Sequence, residues 1–339
     1  MVLKDFVKNN KVIFMKKCIL ILPYFGHFNN YFNLFLKSVQ FNSDFLDLLL
    51  VTDNSQKYDF PKNVIKVNLP FIDLKKMFDD RLELNVTLNS PYKLCDFKPS
   101  YGYVFNNYIK DYEYWGYCDC DMILGNFKKI LSPIFLQGYE KIFAAGHLTL
   151  YKNNDLNNKF FMKNIDYVFP YQIAFSTDKI YVFDEDVYFI QKHNIHSIYK
   201  NYNKKIYDKD LSFNCSTNYL YLTRAVYDCS SRNFVDEKIP YRLFFNNGNL
   251  NGYCYNNNEF LKKEFLYCHL QMRKMKVKIK DDSNIFEIRA DKFILQKEPR
   301  DYKEFLSYNP KRYGMAKMYI LVRKLKKIIF HNEKKIEFY

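Results

Sequence analysis

Short apolar runs alternate with helical segments along the first part of the sequence. Runs typical of buried strands occupy residues 18–22, 47–52, 64–69 and 114–118. Apolar residues at helical spacing occupy the intervals, at residues 29–41, 74–82 and 99–112. This alternation is typical of βαβ units, whose strands join one parallel sheet. The sequence therefore predicts an α/β, Rossmann-like fold with a mostly parallel central sheet and helices on both faces.

The second half of the sequence is less regular, and it ends in a basic segment. Further strands are expected at residues 141–150, 180–183, 218–222, 242–245 and 265–271. We expect an N-terminal extension at 1–15, the α/β domain at 16–280 and a C-terminal appendage at 281–339.

The appendage contains a predicted amphipathic helix at 311–330. Its apolar residues recur in steps of three and four, and its lysines fall largely on the other face. Two interpretations stay open for this helical tail. It binds an anionic membrane surface, or it packs its apolar stripe onto the domain.

Composition limits the function classes. The chain has 339 residues, of which 48% are hydrophobic, so global disorder is excluded. The 52 basic and 37 acidic residues give a net charge of +15, which favours anionic partners. No helix-turn-helix, zinc-finger or RNA-binding motif occurs, and arginine, which reads bases through its two-pronged guanidinium, is scarce. A basic, aromatic-rich nucleic-acid-binding protein is the alternative that charge alone keeps open, although we expect no nucleic-acid partner.

Cysteine usage and apolar run lengths bear on location. The eight cysteines form no CxxC pair and no zinc-like pair of pairs, and in a long chain without a secretory leader we expect them to be reduced cytosolic thiols. The apolar run at 18–22 stops at Pro23 and is too short for a secretory signal. No run is long enough to span a membrane. We therefore expect a cytoplasmic protein, with peripheral attachment to the inner face of the cytoplasmic membrane if residues 311–330 bind lipid.

The most informative segment lies at residues 114–125, where an aromatic run leads into Asp119-Cys120-Asp121. On an extended backbone, side chains two residues apart point to the same side, so Asp119 and Asp121 present two carboxylates together. Mn²⁺ and Mg²⁺ prefer such oxygens and keep positions open for phosphate groups. The pair predicts a Mn²⁺ or Mg²⁺ site, although an acidic turn without a metal gives the same pattern.

A second motif, with Asp96 and Lys98, precedes this segment. Residues 92–105 and 112–125 together resemble bacterial DxD glycosyltransferases of GT-A fold from surface-polysaccharide clusters (DUF6625-like). The resemblance covers roughly residues 16–275. It implies that Asp119 contacts the ribose or donor sugar and, with Asp121, binds the metal. It also implies that Asp96 hydrogen-bonds the donor sugar and that Lys98 steadies Asp96 or a phosphate. The alternative for Asp96 and Lys98 is an ordinary helix start.

The resemblance also implies a late histidine that completes the metal site. His269 fits this position, and Arg273 and Lys274 follow it, where they would hold diphosphate oxygens. The alternative for His269 is a core histidine on a strand. The remaining histidines at 193, 196 and 331 lack such a context, and we expect them on the surface.

Other residues of the resembled site lie at strand ends and in one acidic run. Pro23 and Tyr24 end the first strand, where this family seats the nucleotide, and Asp53 follows the second. His147 would contact the donor sugar or the acceptor hydroxyl, or else is an ordinary strand residue.

In the acidic run, Glu185 or Asp184 would take the proton from the acceptor hydroxyl, unless the run is a solvated loop. No GxGxxG or P-loop motif is present. We therefore expect a metal-dependent glycosyltransferase that uses a nucleoside-diphosphate donor, with a UDP-sugar as first candidate. Its acceptor would be a glycan or lipid-linked glycan of capsule or lipopolysaccharide type.

Overall fold

The computed structural model describes residues 17–187, 193–217 and 221–307. The strands are β1 Cys18–Pro23, β2 Leu46–Thr52, β3 Val64–Asn68, β4 Tyr114–Cys118, β5 Met122–Leu124, β6 Lys141–Ile142, β7 Leu148–Lys152, β8 Ile206–Tyr207, β9 Ser212–Asn214, β10 Ala225–Asp228, β11 Asn233–Asp236, β12 Tyr241–Asn246, β13 Asn249–Asn256, β14 Glu259–Phe265, β15 Tyr267–His269, β16 Lys276–Lys278, β17 Ile285–Ile288 and β18 Lys292–Ile294. The α-helices are α1 Phe32–Gln40, α2 Phe71–Leu82, α3 Leu94–Phe97, α4 Tyr101–Val104, α5 Asn106–Ile109, α6 Phe127–Phe135, α7 Asp155–Asn158, α8 Pro170–Ser176, α9 Ile195–Asn201 and α10 Tyr302–Leu306. Short 3₁₀ turns lie at Pro91–Lys93, Lys98–Ser100 and Phe160–Met162.

A seven-stranded sheet forms the centre of the fold, in the order β3-β2-β1-β4-β7-β6-β8. Strands β1 to β4 are mutually parallel, and β7 is antiparallel to both of its neighbours. The predicted α/β class with a mostly parallel central sheet is therefore confirmed. The carboxyl ends of β1, β2 and β4 lie at one edge, where α/β sheets bind their ligands.

Helices cover both faces of this sheet because its central strands are apolar on both sides. Ile19 and Ile21 of β1 pack into one core with residues of α2, α4, α8 and α9. Cys18, Leu20 and Leu22 pack into a second core with residues of α1 and α6. Side chains alternate between faces along a strand, so a strand buried on both sides reads as a continuous apolar run.

Three smaller sheets extend the domain. One has the order β5-β15-β9, the hairpin β10-β11 forms a second, and six strands in the order β14-β13-β12-β17-β18-β16 form the third. The third encloses its own apolar core. Its strands β17 and β18 lie beyond residue 280, where we expected the appendage to begin, so this sheet crosses that boundary. The expected division into an extension, a domain and an appendage stays a prediction.

The structure corrects several local expectations. Residues 180–183 form turns and irregular backbone, because the carboxylate of Asp96 takes the hydrogen bonds of this segment that a neighbouring strand would need. The strand expected at 141–150 is interrupted between β6 and β7, where Phe143 has a φ of 74°. His196, expected on the surface, is fully buried beside Lys141. The helix expected at 99–112 is divided into short helices and a 3₁₀ turn.

Several expectations fall outside the described residues. These are the extension as far as residue 16, the strand start at 218–220, His331 and the basic tail at 311–330. Within the described ranges, no helix has both the length and the apolar character needed to cross a membrane.

Candidate metal and nucleotide-sugar site

The three-stranded sheet β5-β15-β9 brings distant parts of the chain to one point. β5 begins directly after Asp121, and its Met122 pairs with His269 of antiparallel β15. On the other side of β15, His269 pairs with Asn214 of parallel β9. This register sets Asp121, His269 and Asn214 side by side at the carboxyl end of β4.

The two aspartates and His269 form a compact group of potential metal ligands. His269 Nε2 lies 3.4 Å from Asp121 Oδ1 and 3.8 Å from Asp119 Oδ2. One atom from each of the three residues lies within 4.8 Å of the others. Asp121 and His269 are buried, whereas the Asp119 side chain is 34% exposed. Two carboxylates and an imidazole with one open side suit a divalent cation that also binds a ligand.

Groups around the triad hold two of its members in place. His269 Nδ1 lies 3.0 Å from Asn214 Oδ1, so it donates there and leaves the Nε2 lone pair toward the carboxylates. Gln271 donates to the same oxygen of Asn214. The backbone N–H of Met272 donates to Asp121 Oδ2 from a turn in which Gln271 and Met272 both have positive φ. Such a partner on the far nitrogen of a ligand histidine fixes its tautomer and orientation.

The charges of Asp121 and His269 stabilise each other. Burial alone would raise the pKa of Asp121, but the facing His269 and the Met272 N–H hold it below its ordinary value. Burial alone would lower the pKa of His269, but Asp121 and Asp119 raise it. A cation held here would take the place of the imidazole proton, because histidine binds metals in its neutral form.

Lys98 connects Asp119 to the acidic run. Its Nζ lies 3.0 Å from Asp119 Oδ1 and 3.2 Å from Asp184 Oδ2, and it donates to the carbonyl of Gly146 at 2.8 Å. Burial opposes its charge, but the two aspartates hold the pKa of Lys98 well above its usual value. Gly146 is required by packing, since a Cβ there would lie 2.7 Å from Asp184 Oδ2. The ammonium group therefore stands beside the triad on the Asp119 side.

The two predicted candidates for the catalytic base differ in their surroundings. Burial raises the pKa of Asp184 to about 8, against the attraction of Lys98. Burial also raises the pKa of Glu185, which accepts a hydrogen bond from the backbone of Gly146. Asp184 is almost fully buried and Glu185 is only partly so. Glu185 is thus the more accessible of the two carboxyl groups.

Asp96, for which the resemblance implies a contact with the donor sugar, has partners for both oxygens within the chain. It is fully buried, and its Oδ1 accepts the N–H of Phe183 at 3.0 Å. Its Oδ2 accepts the N–H of Tyr181 at 2.9 Å and the buried ammonium of Lys93 at 2.7 Å. Both oxygens therefore support the loop that leads into Asp184.

His147 lies beside the triad, with its ring centroid 4.5 Å from that of His269. Its Nδ1 lies 2.9 Å from the hydroxyl of Tyr267, and its buried Nε2 has no hydrogen-bond partner among the described residues. Burial, followed by His269 and Lys98, lowers the pKa of His147 well below its usual value. The carbonyl of His147 also accepts the N–H of Asp119 at 3.1 Å.

The predicted nucleotide-facing residues lie at strand ends, as expected. Pro23 ends β1. Tyr24 follows it, and the Tyr24 hydroxyl donates to the carbonyl of His27 at 3.0 Å. Burial, followed by the neighbouring Cys120 and Asp121, raises the pKa of Tyr24 to about 12. Asp53 follows β2 and is exposed. Tyr24 is therefore close to the DxD segment.

Arg273 and Lys274, the two basic residues after His269, differ in their contacts and exposure. Arg273 donates to the carbonyls of Ser216 and Ala290, so its guanidinium braces two loops. Lys274 is exposed. Of these two residues, the structure leaves Lys274 accessible to an anionic ligand.

Cys95, Asp96 and Asp184 form a second group whose atoms lie close enough to hold an ion. Two lysines already serve its carboxylates, since Lys93 pairs with Asp96 and Lys98 with Asp184. These internal cations neutralise the group, so we assign no metal to it.

The sequence matches the model of one protein family. The model of a family described as a family of unknown function, DUF6625, matches residues 20–297. The chain belongs to this family. The match spans every strand of the central sheet and all residues of the triad. No curated protein matches the sequence.

Among solved structures, this DUF6625 chain is similar to the galactosyltransferase LgtC, crystallised in complex with donor and acceptor sugar analogs. The two share 12% sequence identity with a TM-score of 0.31, over 58% of this chain and 75% of LgtC. At these values, LgtC contributes nothing to the functional assignment below.

Sequence analysis of this DUF6625 chain missed three residues of the site. Asn214 and Tyr267 contact the two histidines, and Lys93 neutralises Asp96. Tyr267 stands two residues before His269, so strand alternation could have placed both on one side. Asn214 gives no local signal, because its role depends on pairing with a strand far along the chain.

Proposed function

We propose that this chain is a divalent-metal-dependent glycosyltransferase of GT-A type. It transfers a sugar from a nucleoside-diphosphate donor, with a UDP-sugar as first candidate, to a glycan or lipid-linked glycan acceptor of the bacterial surface. The observation that carries the proposal is the convergence of Asp119, Asp121 and His269 at a strand end, with the ammonium of Lys98 on the same carboxylate.

The donor set fits Mn²⁺ or Mg²⁺. The two carboxylates supply oxygen ligands, and the tautomer fixed by Asn214 presents the His269 Nε2 lone pair to the same space. A divalent cation held there neutralises charge on a diphosphate leaving group. Lys98 adds a second positive charge beside Asp119, and fixed charges in a partly buried site stabilise a departing anion strongly.

The remaining residues receive roles according to their exposure. Glu185 accepts the proton of the acceptor hydroxyl in an inverting reaction, because it is the more accessible carboxylate. His147 is buried and supports the ring of His269 from the side. Asp96 positions the loop at 181–183, in place of the direct sugar contact expected from the resemblance. Tyr24 and Asp53 line the nucleotide end.

Release of UDP from a panel of UDP-sugars, with and without Mn²⁺, tests the proposal. We expect one donor to be hydrolysed or transferred, EDTA to stop the reaction, and Asp121→Ala to lower the rate by about 100-fold or more. Asp44→Ala is the matched control, because Asp44 is an exposed aspartate whose ion pair is with the exposed Lys128.

A different outcome would remove the proposal. UDP release that is insensitive to EDTA, or equal in Asp121→Ala and the unsubstituted chain, excludes the metal centre. If no sugar nucleotide shifts the melting temperature in the presence of Mn²⁺, the donor class is wrong, since a ligand of the native state raises its stability.

A further inference from the structure

A row of exposed lysines follows the metal site along the chain. Residues 274–280 alternate strictly, with Met275, Val277 and Ile279 facing the core of the six-stranded sheet. The residues between them face solvent. These are Lys274, Lys276, Lys278 and Lys280, all of them exposed, and we call them the lysine track. Lys276 and Lys278 lie in β16, where alternation with period two places their side chains on one side, and Lys274 and Lys280 flank this strand.

Neighbouring elements fix the middle of the track. β16 is the last strand of its sheet and pairs in parallel with β18, where Lys276 lies opposite Lys292. On the α1 side, Asn30 donates to the carbonyl of Met275 at 2.9 Å. Alternate residues of a strand are roughly 6.6 Å apart, which is the spacing of Lys276 and Lys278, and the backbone bends at residue 279 before Lys280.

Neighbouring acidic residues do not neutralise most of the positive charge of the lysine track. Within the described residues, no carboxylate forms an ion pair with any lysine of the track. Asp291 lies 3.8 Å from the ammonium of Lys292 on the adjacent strand. Asp281 follows the last lysine, and its carboxylate accepts a hydrogen bond from Asn33 at 2.6 Å. The row therefore presents positive charge to solvent along its length.

The track begins at the metal site. Met272, whose N–H holds Asp121, is two residues before Lys274, and its side chain is 63% exposed. A chain that follows the lysines toward residue 272 therefore approaches the triad. A single row of lysines matches a linear partner with negative groups along it, whereas a membrane surface calls for a broader basic face.

We propose that the lysine track binds an anionic, linear glycan acceptor, whose phosphate or carboxylate groups pair with the lysines while its end lies at the metal site. This inference rests on the proposed function and specifies its acceptor class. A lysine ammonium acts on phosphate or carboxylate as a point charge and does not require one fixed geometry. The track therefore tolerates variation in the sugar units.

The test measures binding of heparin fragments, a linear sulfated and carboxylated glycan, to the full chain by calorimetry at several salt concentrations. The variant Lys276→Glu/Lys278→Glu is expected to bind about tenfold more weakly or worse, with a shallower salt dependence, because fewer counterions are released. The control Lys76→Glu/Lys110→Glu has the same net charge and alters exposed lysines elsewhere. We expect it to change affinity less than about twofold.

Equal losses in the two variants, or none in the first, overturn the proposal. A larger effect of the track variant on binding to vesicles with anionic phospholipid, or to a single-stranded oligonucleotide, assigns the track to another class of partner and also overturns it. The rate of donor hydrolysis, with water as acceptor, distinguishes failure of the acceptor inference from failure of the proposed function. If hydrolysis is normal and heparin binding is unaffected, only the acceptor inference fails. If the unsubstituted chain hydrolyses no donor, the proposed function fails first.

Discussion

The Nε2 atom of His269 lies 3.4 Å from Oδ1 of Asp121, although the two residues are far apart in sequence. Pairing of β5 with β15 creates this contact, since Met122, next to Asp121, lies opposite His269. A shift of one residue in that register would turn His269 to the other side of the strand. The metal proposal therefore depends on a ladder of three residue pairs.

Removal of the Asn214 side chain should weaken metal binding without removing a ligand. We expect Asn214→Ala to lower Mn²⁺ affinity by about 10- to 100-fold, because the hydrogen bond that orients His269 is lost. Asn214→Asp keeps an acceptor oxygen and should restore most of the affinity. Titration calorimetry with MnCl₂ measures both. Wild-type affinity in Asn214→Ala would show that His269 needs no such orientation.

The rate of sugar transfer should rise with pH through the ionisation of Glu185. Because burial raises the pKa of this carboxyl, the acidic limb should lie above the ordinary glutamate range. Glu185→Gln should lower the rate by about 10²- to 10⁴-fold and remove that limb.

Asp184→Asn is the matched control for Glu185→Gln. Burial raises the pKa of Asp184 to about 8 and encloses its side chain, so we expect the isosteric amide to leave the acidic limb in place. Measurement of UDP release between pH 5 and 9 compares the two variants. Loss of the acidic limb in Asp184→Asn with its retention in Glu185→Gln would transfer the role of base to Asp184.

Replacement of Asp96 should act through stability. Asp96→Ala removes the buried carboxylate that pairs with the ammonium of Lys93, and it leaves two backbone N–H groups without an acceptor. We expect the free energy of unfolding to fall by about 3–5 kcal/mol. Asp53→Ala, on an exposed aspartate, should change it by less than about 0.5 kcal/mol. Urea denaturation measures both. A raised KM for the donor in Asp96→Ala with unchanged stability would favour the direct sugar contact instead.

Stability should depend on pH through Lys141. Burial lowers the pKa of this lysine from 10.5 to about 7 in the folded state, where its ammonium contacts His196 Nδ1 at 3.2 Å. Between pH 7 and 10 the unfolded chain binds a proton that the folded chain lacks. The Lys141 contribution to the free energy of unfolding should therefore rise with pH, by about 1.4 kcal/mol per unit.

Lys141→Met removes this titrating group and keeps an unbranched side chain. The difference in unfolding free energy between the unsubstituted chain and Lys141→Met should grow in favour of the former from pH 7 to 10. Chemical denaturation at each pH gives this difference. A difference that is constant with pH would mean that Lys141 keeps its ordinary pKa in the folded protein.

The central sheet could be predicted because the apolar run of each strand is recognisable from consecutive residues alone. The apolar runs at β1, β2 and β4 are buried on both faces, so each is readable without its neighbours. The two DxD aspartates follow from the end of β4 in the same way. The role of Asn214 could not be predicted, since it arises only when β9 pairs with β15.

Asp96 illustrates a different difficulty. Its spacing from Asp119 fits a site residue, and the structure does place it near the site. Its oxygens, however, accept backbone N–H groups of residues 181 and 183, which lie in a segment that sequence patterning favoured as a strand. A buried carboxylate that organises a loop and one that binds a sugar look the same in sequence, because only the direction of the side chain separates them.

The late position of β15 has a consequence for biosynthesis. While the ribosome is still extending the chain short of residue 267, every strand of the seven-stranded sheet has been made, yet the imidazole that faces the DxD carboxylates has not. Nascent or prematurely terminated polypeptides therefore hold two of the three candidate ligands.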